Sequence, residues 1–487
     1  MSLIEILDTA DGRFGASAAC ALALVTAFAA PRPAGAEERA SSPGAGATVA
    51  GEQVPGEPAE RQRADGRWWL VGGQVTGVGF FVPGFHSPYR DPQTSFGPGP
   101  EGAWSLVATV MGGVSPWKGA IVVAQPEFAD GAGAPNVSGL AGYIDGNIIR
   151  VAKVGTEPYL ARLFFQQDFA LGPAGEGDDE EEPEGRFMPT GPFALRRTRA
   201  PSRVEITVGK FAVTDFFDSA TASSDPRHRF MNWSLMTNGA WDFAADTRGY
   251  TWGVVAAVEQ PRWAVRAGVA LMPTTANGSV FDGDLGHARS EMIEGEYRYQ
   301  VLGQSGAVKL LWYWNHAHMG SYADALAAAP PGRLPEIGAV EKPGALKYGA
   351  GLLIDQRVGQ AAAFFRASWN DGRTETFAFT EIDRAVSVGA EIPTRGWGRP
   401  GDRVGVGVAA SGLSSEHAAY LKAGGRGFQL GDGTLSYAWE TILECYYALR
   451  LSRYVELTGD VQGIANPGMN SDRGPAVAVG VRLHAHL

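Results

Sequence analysis

The chain has 487 residues and a formal net charge of −11, with only 19% of its residues charged. That acidic balance argues against a nucleic-acid binder, which carries basic patches, and two cysteines are too few for a disulfide scaffold. Sixty-six glycines and 10% aromatic residues suit many short strands joined by turns and edged by aromatic rings.

Residues 16–30 are an apolar run, and Ala34-Gly35-Ala36 is a small-residue cleavage pattern ahead of Glu37. Residues 1–36 therefore read as a signal peptide, although Glu5, Asp8 and Asp11 stand where basic residues are usual. Cys20 falls in this leader, where Ser17-Ala18-Ala19-Cys20 lacks the leucine of a lipoprotein acceptor. Residues 37–65 hold almost no large apolar side chains and read as a flexible periplasmic lead-in. No later stretch reaches the roughly 18 apolar residues of a membrane-spanning helix.

From residue 66 onward the pattern is strand after strand. Trp68 to Phe81 opens the series, followed by a Pro/Gly-rich loop over 85–100 and a hairpin of 104–114 with 118–128 around Ser115-Pro116-Trp117. Strands are expected next at 143–154 and 159–169. The acidic run from Glu176 to Glu184 reads as a solvated surface loop, with a divalent-ion bridge to lipopolysaccharide as the alternative. A strand over 204–211 leads into residues 214–249, a dense polar and aromatic patch too irregular to face lipid throughout and suited to a pore constriction. Hairpins resume at 252–259 with 263–271, and at 291–301 with 307–316 around a turn at 303–306. Further strands follow at 347–355, 361–369, 384–391 and 403–410, with a Pro/Ala-rich loop at 321–345.

The last fifty residues alternate most strictly. Trp439, Thr441, Leu443, Cys445 and Tyr447 oppose Glu440, Glu444, Tyr446 and Arg450; Val477, Val479, Val481 and Leu483 oppose Ala478, Arg482 and His484. A period of two means strand, because successive side chains leave the backbone on opposite sides. A soluble sandwich would set the apolar side on a second sheet, whereas a barrel sets it on lipid and turns the polar side to a lumen. Strands of about ten residues, long enough to cross a bilayer when tilted, favour an all-β transmembrane antiparallel β-barrel. The expected count is about 16 strands (roughly 16–18), with inward-folded constriction segments.

Two blocks of residues resemble a known family, the carbohydrate-selective porins of the OprB type. The first is Leu413-Ser414-Ser415-Glu416-His417-Ala418-Ala419-Tyr420, Gly431-Asp432-Gly433-Thr434-Leu435-Ser436-Tyr437, Glu440, Glu444-Cys445-Tyr446-Tyr447, Gln462 to Asn470, Asp472-Arg473-Gly474-Pro475 and Arg482-Leu483-His484. The second is Gly209-Lys210-Phe211, Asp225-Pro226-Arg227, Phe230-Met231-Asn232-Trp233, Asn238-Gly239-Ala240-Trp241-Asp242 and Asp246-Thr247-Arg248-Gly249, with weaker similarity at Ala141-Gly142-Tyr143 and Ala161-Arg162. The resemblance implies a 16-stranded outer-membrane barrel of a Gram-negative bacterium through which small sugars diffuse passively, as a monomer or a homotrimer. Its partners are mono- or oligosaccharides in transit, outer-membrane lipid and lipopolysaccharide, with no nucleic acid and no cofactor. Members usually end in phenylalanine; this chain ends in Leu487, and Met469 takes the place of an aromatic.

A sugar is flat on its axial-hydrogen faces and ringed by hydroxyls, so a selective channel needs aromatic surfaces and charged groups that exchange hydrogen bonds, bound weakly enough to release. The lumen candidates are Asp225, Arg227, Arg229, Trp233, Asn238, Trp241, Asp242 and Arg248, with Glu440, Glu444, Asp460, Gln462, Arg473 and Arg482 on wall strands and turns. Inward charges can equally brace the strands without touching solute, and Asn466-Pro467-Gly468 with 472–475 reads as a structured turn. His316/His318 and His484/His486 place imidazole pairs on one face, without a third ligand at metal spacing. No nucleophile-elbow pattern stands out, so the chain is not expected to be an enzyme. A non-selective or ion-preferring diffusion porin is the near alternative, and an outer-membrane barrel hydrolase the alternative of a different class.

Overall fold

A computed structural model describes residues 68–133, 139–149, 157–172 and 199–487, with no side-chain description for 148 and 149. The proposed leader and lead-in, and the acidic run at 176–184, lie outside these residues. Trp68–Leu487 forms a compact unit.

Sixteen strands are found among the described residues: β1 (Trp69–Val82), β2 (Glu101–Val114), β3 (Ala120–Gly133), β4 (Tyr159–Ala170), β5 (Arg203–Phe211), β6 (Thr251–Glu259), β7 (Trp263–Leu271) and β8 (Arg289–Val301). They continue as β9 (Gln304–Met319), β10 (Lys342–Val358), β11 (Ala361–Asn370), β12 (Arg384–Pro393), β13 (Arg403–Gly412), β14 (Glu440–Arg450), β15 (Val455–Ala465) and β16 (Ala476–His486). Each pairs antiparallel with its neighbours, and β1 closes on β16 with Phe80 opposite Gly480. Closure leaves no strand edge, the condition for a sheet in lipid.

The alternation in the sequence becomes inside and outside. On β16, Val477, Val479, Val481 and Leu483 are 44–51% exposed, while Arg482 and His484 are fully buried. Outward Val, Leu and Ile form a band, with Trp69, Trp117, Trp263 and Tyr297 toward one rim and Trp252, Trp314, Tyr348 and Trp369 toward the other. Paired aromatic belts around an apolar band are the outer surface of a membrane barrel.

The two rims differ. One joins strands through short turns such as Leu302-Gly303, whose positive φ values of 51° and 74° give the tight hairpin geometry that matches strand twist. That turn is shorter than the expected 303–306. The other rim carries the long connections 83–100, 212–250, 272–288, 320–341, 371–383 and 413–439, the arrangement in which short turns are periplasmic and long loops extracellular. Four short helices are found among the described residues: α1 (Gly146–Ile149) between β3 and β4, and α2 (Trp233–Met236), α3 (Tyr322–Ala328) and α4 (Ser415–Lys422) in the connections 212–250, 320–341 and 413–439.

One expected strand is not formed over its described residues. Residues 143–149 of the predicted 143–154 strand form a bend and α1, and 150–156 lie outside the described residues. Asp145 accepts the Asn147 N–H at 2.9 Å, and Glu440 on β14 takes the Ala141 and Gly142 N–H groups at 3.0 and 2.8 Å. These bonds draw the segment into the barrel, where it has no neighbouring strand to pair with.

Candidate functional site: the constriction

Residues 212–250 fold into the barrel because their apolar side chains do not alternate. Phe216, Phe217, Trp233, Trp241 and Phe243 pack with Tyr143, Phe377 and Phe379 into a hydrophobic core inside the lumen. A loop buried this way must satisfy its backbone polar groups, and inward side chains of the wall do so. Glu444 accepts from Met231 N and Asn232 N at 2.7 and 3.0 Å. Arg366 on β11 holds Asp218 at 3.0 Å and donates to the Leu235 carbonyl at 2.9 Å. Arg482 donates to the carbonyls of Pro226 and Arg229, both at 2.7 Å.

This packing leaves a cavity of about 520 Å³ that runs from the short-turn rim (Gly72, Gly73, Arg453, Tyr454, Leu487) to the aromatic group Trp233, Phe243 and Phe379. Its size falls within the roughly 300–1,000 Å³ of small-molecule sites. The three rings form a small pile: Trp233 stacks on Phe379 with centroids 5.5 Å apart, and Phe243 on Phe379 at 5.2 Å.

Charged groups line the cavity in two states of engagement. Arg162 is held tightly by Asp215, at 2.6 and 2.7 Å, and by Gln125 at 3.0 Å. Arg403 holds Glu456 at 2.6 Å. Arg227 and Arg229 are held more loosely, 3.5 Å from Glu127 and 3.7 Å from Glu391. Both separations exceed hydrogen-bond length, so these guanidiniums retain donors for a visiting hydroxyl.

Of the candidates read from the sequence, the structure brings Asp225, Arg227, Arg229 and Trp233 together on the cavity wall. The others are placed elsewhere. Asn238 is bound to Asp218 at 2.7 and 2.8 Å. Trp241 is packed between Phe217 and Phe243, and Asp242 accepts the Phe377 and Ala378 N–H groups, both at 2.8 Å. Arg248 sits 3.8 Å over the Tyr159 ring. Glu440, Glu444 and Arg482 hold loop backbone as described; Gln462 donates to the Ile144 carbonyl at 2.7 Å and to Asp460 at 3.1 Å. Arg473 ties Asp432 at 2.7 Å and Ser87 at 3.0 Å, locking the turn at 466–475 to the first loop. These inward charges meet protein where a solvated lumen face was expected, because the inward loops occupy that space.

Arg162, Asp215, Asp218, Phe243, Phe379 and Arg403 were not among the candidates. Asp215 and Asp218 lie in the patch flagged in the sequence. Phe379 comes from the 371–383 connection, where no local signal marks it.

Outside the strands, the same connection carries a buried ionisable group. Burial opposes ionisation of Asp383, but the His417 imidazole at 2.9 Å and Lys347 at 4.0 Å outweigh it and hold the carboxyl down at about 2. Burial pushes Glu375 up to about 7, although the Gly320 N–H donates to it at 2.6 Å.

No curated protein matches the chain. Among solved structures, the high-pH form of Pseudomonas putida OprB aligns over 86% of this chain and 94% of its own, with 15% identity and a TM-score of 0.63. The anion-selective porin of Comamonas acidovorans aligns over 86% and 99%, with 10% identity and a TM-score of 0.43. Residues 117–487 match the family described as "Carbohydrate-selective porin, OprB family". The chain, a closed barrel with an inward-folded constriction, belongs to that family of outer-membrane porins and is a passive channel, not an enzyme.

Proposed function

We propose that small neutral sugars cross the outer membrane through this barrel by way of the cavity lined by Arg227, Arg229, Asp225 and Trp233. The observation that carries this reading is the pair of loosely held guanidiniums, 3.5 and 3.7 Å from their carboxylates, in a cavity that also presents the Trp233, Phe243 and Phe379 rings. Ring faces suit the axial-hydrogen side of a sugar, and the guanidiniums suit its hydroxyl rim. Neighbouring carboxylates balance the guanidinium charge, which favours a neutral solute over an ion. Glucose serves as a representative of the class.

Lipid contacts the outward valine and leucine band, and lipopolysaccharide the long-loop rim. Each barrel carries its own cavity, so a monomer suffices for permeation and a homotrimer would multiply it. Residues 1–36 act as a cleaved signal peptide, and 37–65 as a periplasmic lead-in to the barrel that starts near residue 66.

Single-channel current in a planar bilayer tests the reading. Glucose added to the bath is expected to reduce the ionic current saturably, because a bound sugar occupies the path of the ions. A current that falls only in proportion to bulk viscosity would refute it.

A further inference from the structure

We infer that Arg482 is a positioning residue that sets the selectivity of the passage, without contacting the solute. This rests on the reading above, in which Arg227 and Arg229 meet the sugar.

Arg482 lies on the last strand with 0% exposure, so solute does not reach it. Both of its terminal nitrogens are engaged by protein: one bonds the Pro226 and the Arg229 carbonyls at 2.7 Å, and the other bonds Thr458 Oγ1 at 3.0 Å. The two carbonyls belong to the ends of one tight turn, in which His228 N and Arg229 N donate to the Asp225 carbonyl at 3.1 and 2.8 Å, and Arg227 N donates to the Asp225 carboxylate at 2.9 Å. Pinning both ends fixes the directions in which Arg227 and Arg229 leave the backbone.

The other holds on this stretch lie past the turn or are longer. Glu444 takes the N–H groups of Met231 and Asn232, just past the turn. Arg403 reaches the His228 carbonyl at 3.3 Å, a longer bond. The side chains of Arg227 and Arg229 are themselves held only by ion pairs beyond hydrogen-bond length. The register of the two solute-facing guanidiniums therefore depends on backbone clamping, and Arg482 supplies the shortest clamp. A planar guanidinium suits this work because its donors diverge in one plane. Lysine offers a point charge at the end of a shorter side chain, and methionine offers none.

The test compares the full-length parent with R482M, R482K and R266M, purified and checked for the heat-modifiable mobility of a folded barrel. Arg266 is an equally buried wall arginine that bridges Glu259, Glu294 and Glu296 at 2.7–3.0 Å and does not touch the turn. The readouts are the half-saturation concentration for glucose block and the ratio of monosaccharide to disaccharide permeation. R482M is expected to raise the half-saturation about tenfold, the loss of one hydrogen bond to a charged group, and to change the ratio. R482K should fall between R482M and the parent, and R266M should keep the parent's ratio whatever it does to thermal stability. If R482M yields no folded barrel, R482K decides: a raised half-saturation supports the inference and a parental value overturns it. A folded R482M with parental selectivity overturns it, and so does an equal change in R266M. If the parent shows no sugar block, the reading of the lining fails, and unit conductance then tests Arg482 alone, with an unchanged value counting against it.

Discussion

Arg229 concentrates the chemistry at the scale of single residues. It faces the cavity, its backbone carbonyl is gripped by Arg482, and its side chain stands 3.7 Å from Glu391. Arg229→Gln keeps a donor but removes the charge. The expected result is a three- to tenfold higher half-saturation for glucose (about 0.7–1.4 kcal/mol) and a reversal potential shifted toward cations, both measured in planar bilayers. Glu375 gives a pH-dependent counterpart in the extracellular loops. Its folded value of about 7 lies above the ordinary 4.5, so the folded loop holds a proton that the opened loop has released. The stabilisation is complete below about pH 4.5 and is lost as pH rises through 7. Hydrogen exchange at the Gly320 amide, which donates to Glu375, should therefore report weaker protection at pH 8 than at pH 5 once corrected for intrinsic exchange. Glu375→Gln should flatten that dependence. Equal corrected protection at both pH values in the parent would remove the assignment.

Between strands, aromatic rings lie over glycines on the inner wall. A Cβ added at Gly405 would stand 2.0 Å from the Tyr446 ring across the β13–β14 pair, and one at Gly480 would stand 2.4 Å from Phe80 across the closure of the barrel. The Tyr446 hydroxyl in turn bonds Glu391 at 2.8 Å, the carboxylate beside Arg229 and Arg403. Gly405→Ala should displace the ring, cost about 1–3 kcal/mol as overpacking does, and raise conductance noise by loosening Glu391. Thermal loss of the heat-modifiable band checks the first effect and bilayer recording the second. At this scale the strands were legible in the sequence because a pleated backbone writes its two faces as a period of two. The 143–154 segment misled because Tyr143, Ile144, Ile148, Ile149 and Val151 give it the density of β-branched and aromatic residues that a strand has. The bonds that pull it inward come from Glu440, nearly three hundred residues later in the chain. The inner wall was half legible: Glu440, Glu444 and Arg482 point inward as read, but nothing local reveals that folded loops consume their hydrogen-bonding capacity.

For the molecule as a whole, the outward band either faces acyl chains or does not, and Cys445 reports on it. The thiol is exposed on the outer face of β14, in register with Val461 and Val406 on the neighbouring strands. In a Cys20→Ser background reconstituted into vesicles, it should react with a lipophilic maleimide and resist a charged methanethiosulfonate reagent; equal reaction with both would place that face in water. Closure, strand count and the outward band could be anticipated from the sequence, because lipid constrains every strand in the same way. The identity of the lining could not, since Arg162, Phe379 and Arg403 meet only after the chain has closed on itself. The claim that joins these scales is that a sugar-preferring aqueous path runs through the barrel. Swelling of vesicles containing the purified protein, in isotonic solutions of monosaccharides and of amino acids matched in size, tests it most directly. The account predicts faster swelling in the sugars, and equal rates for both classes, or no swelling in either, would contradict it.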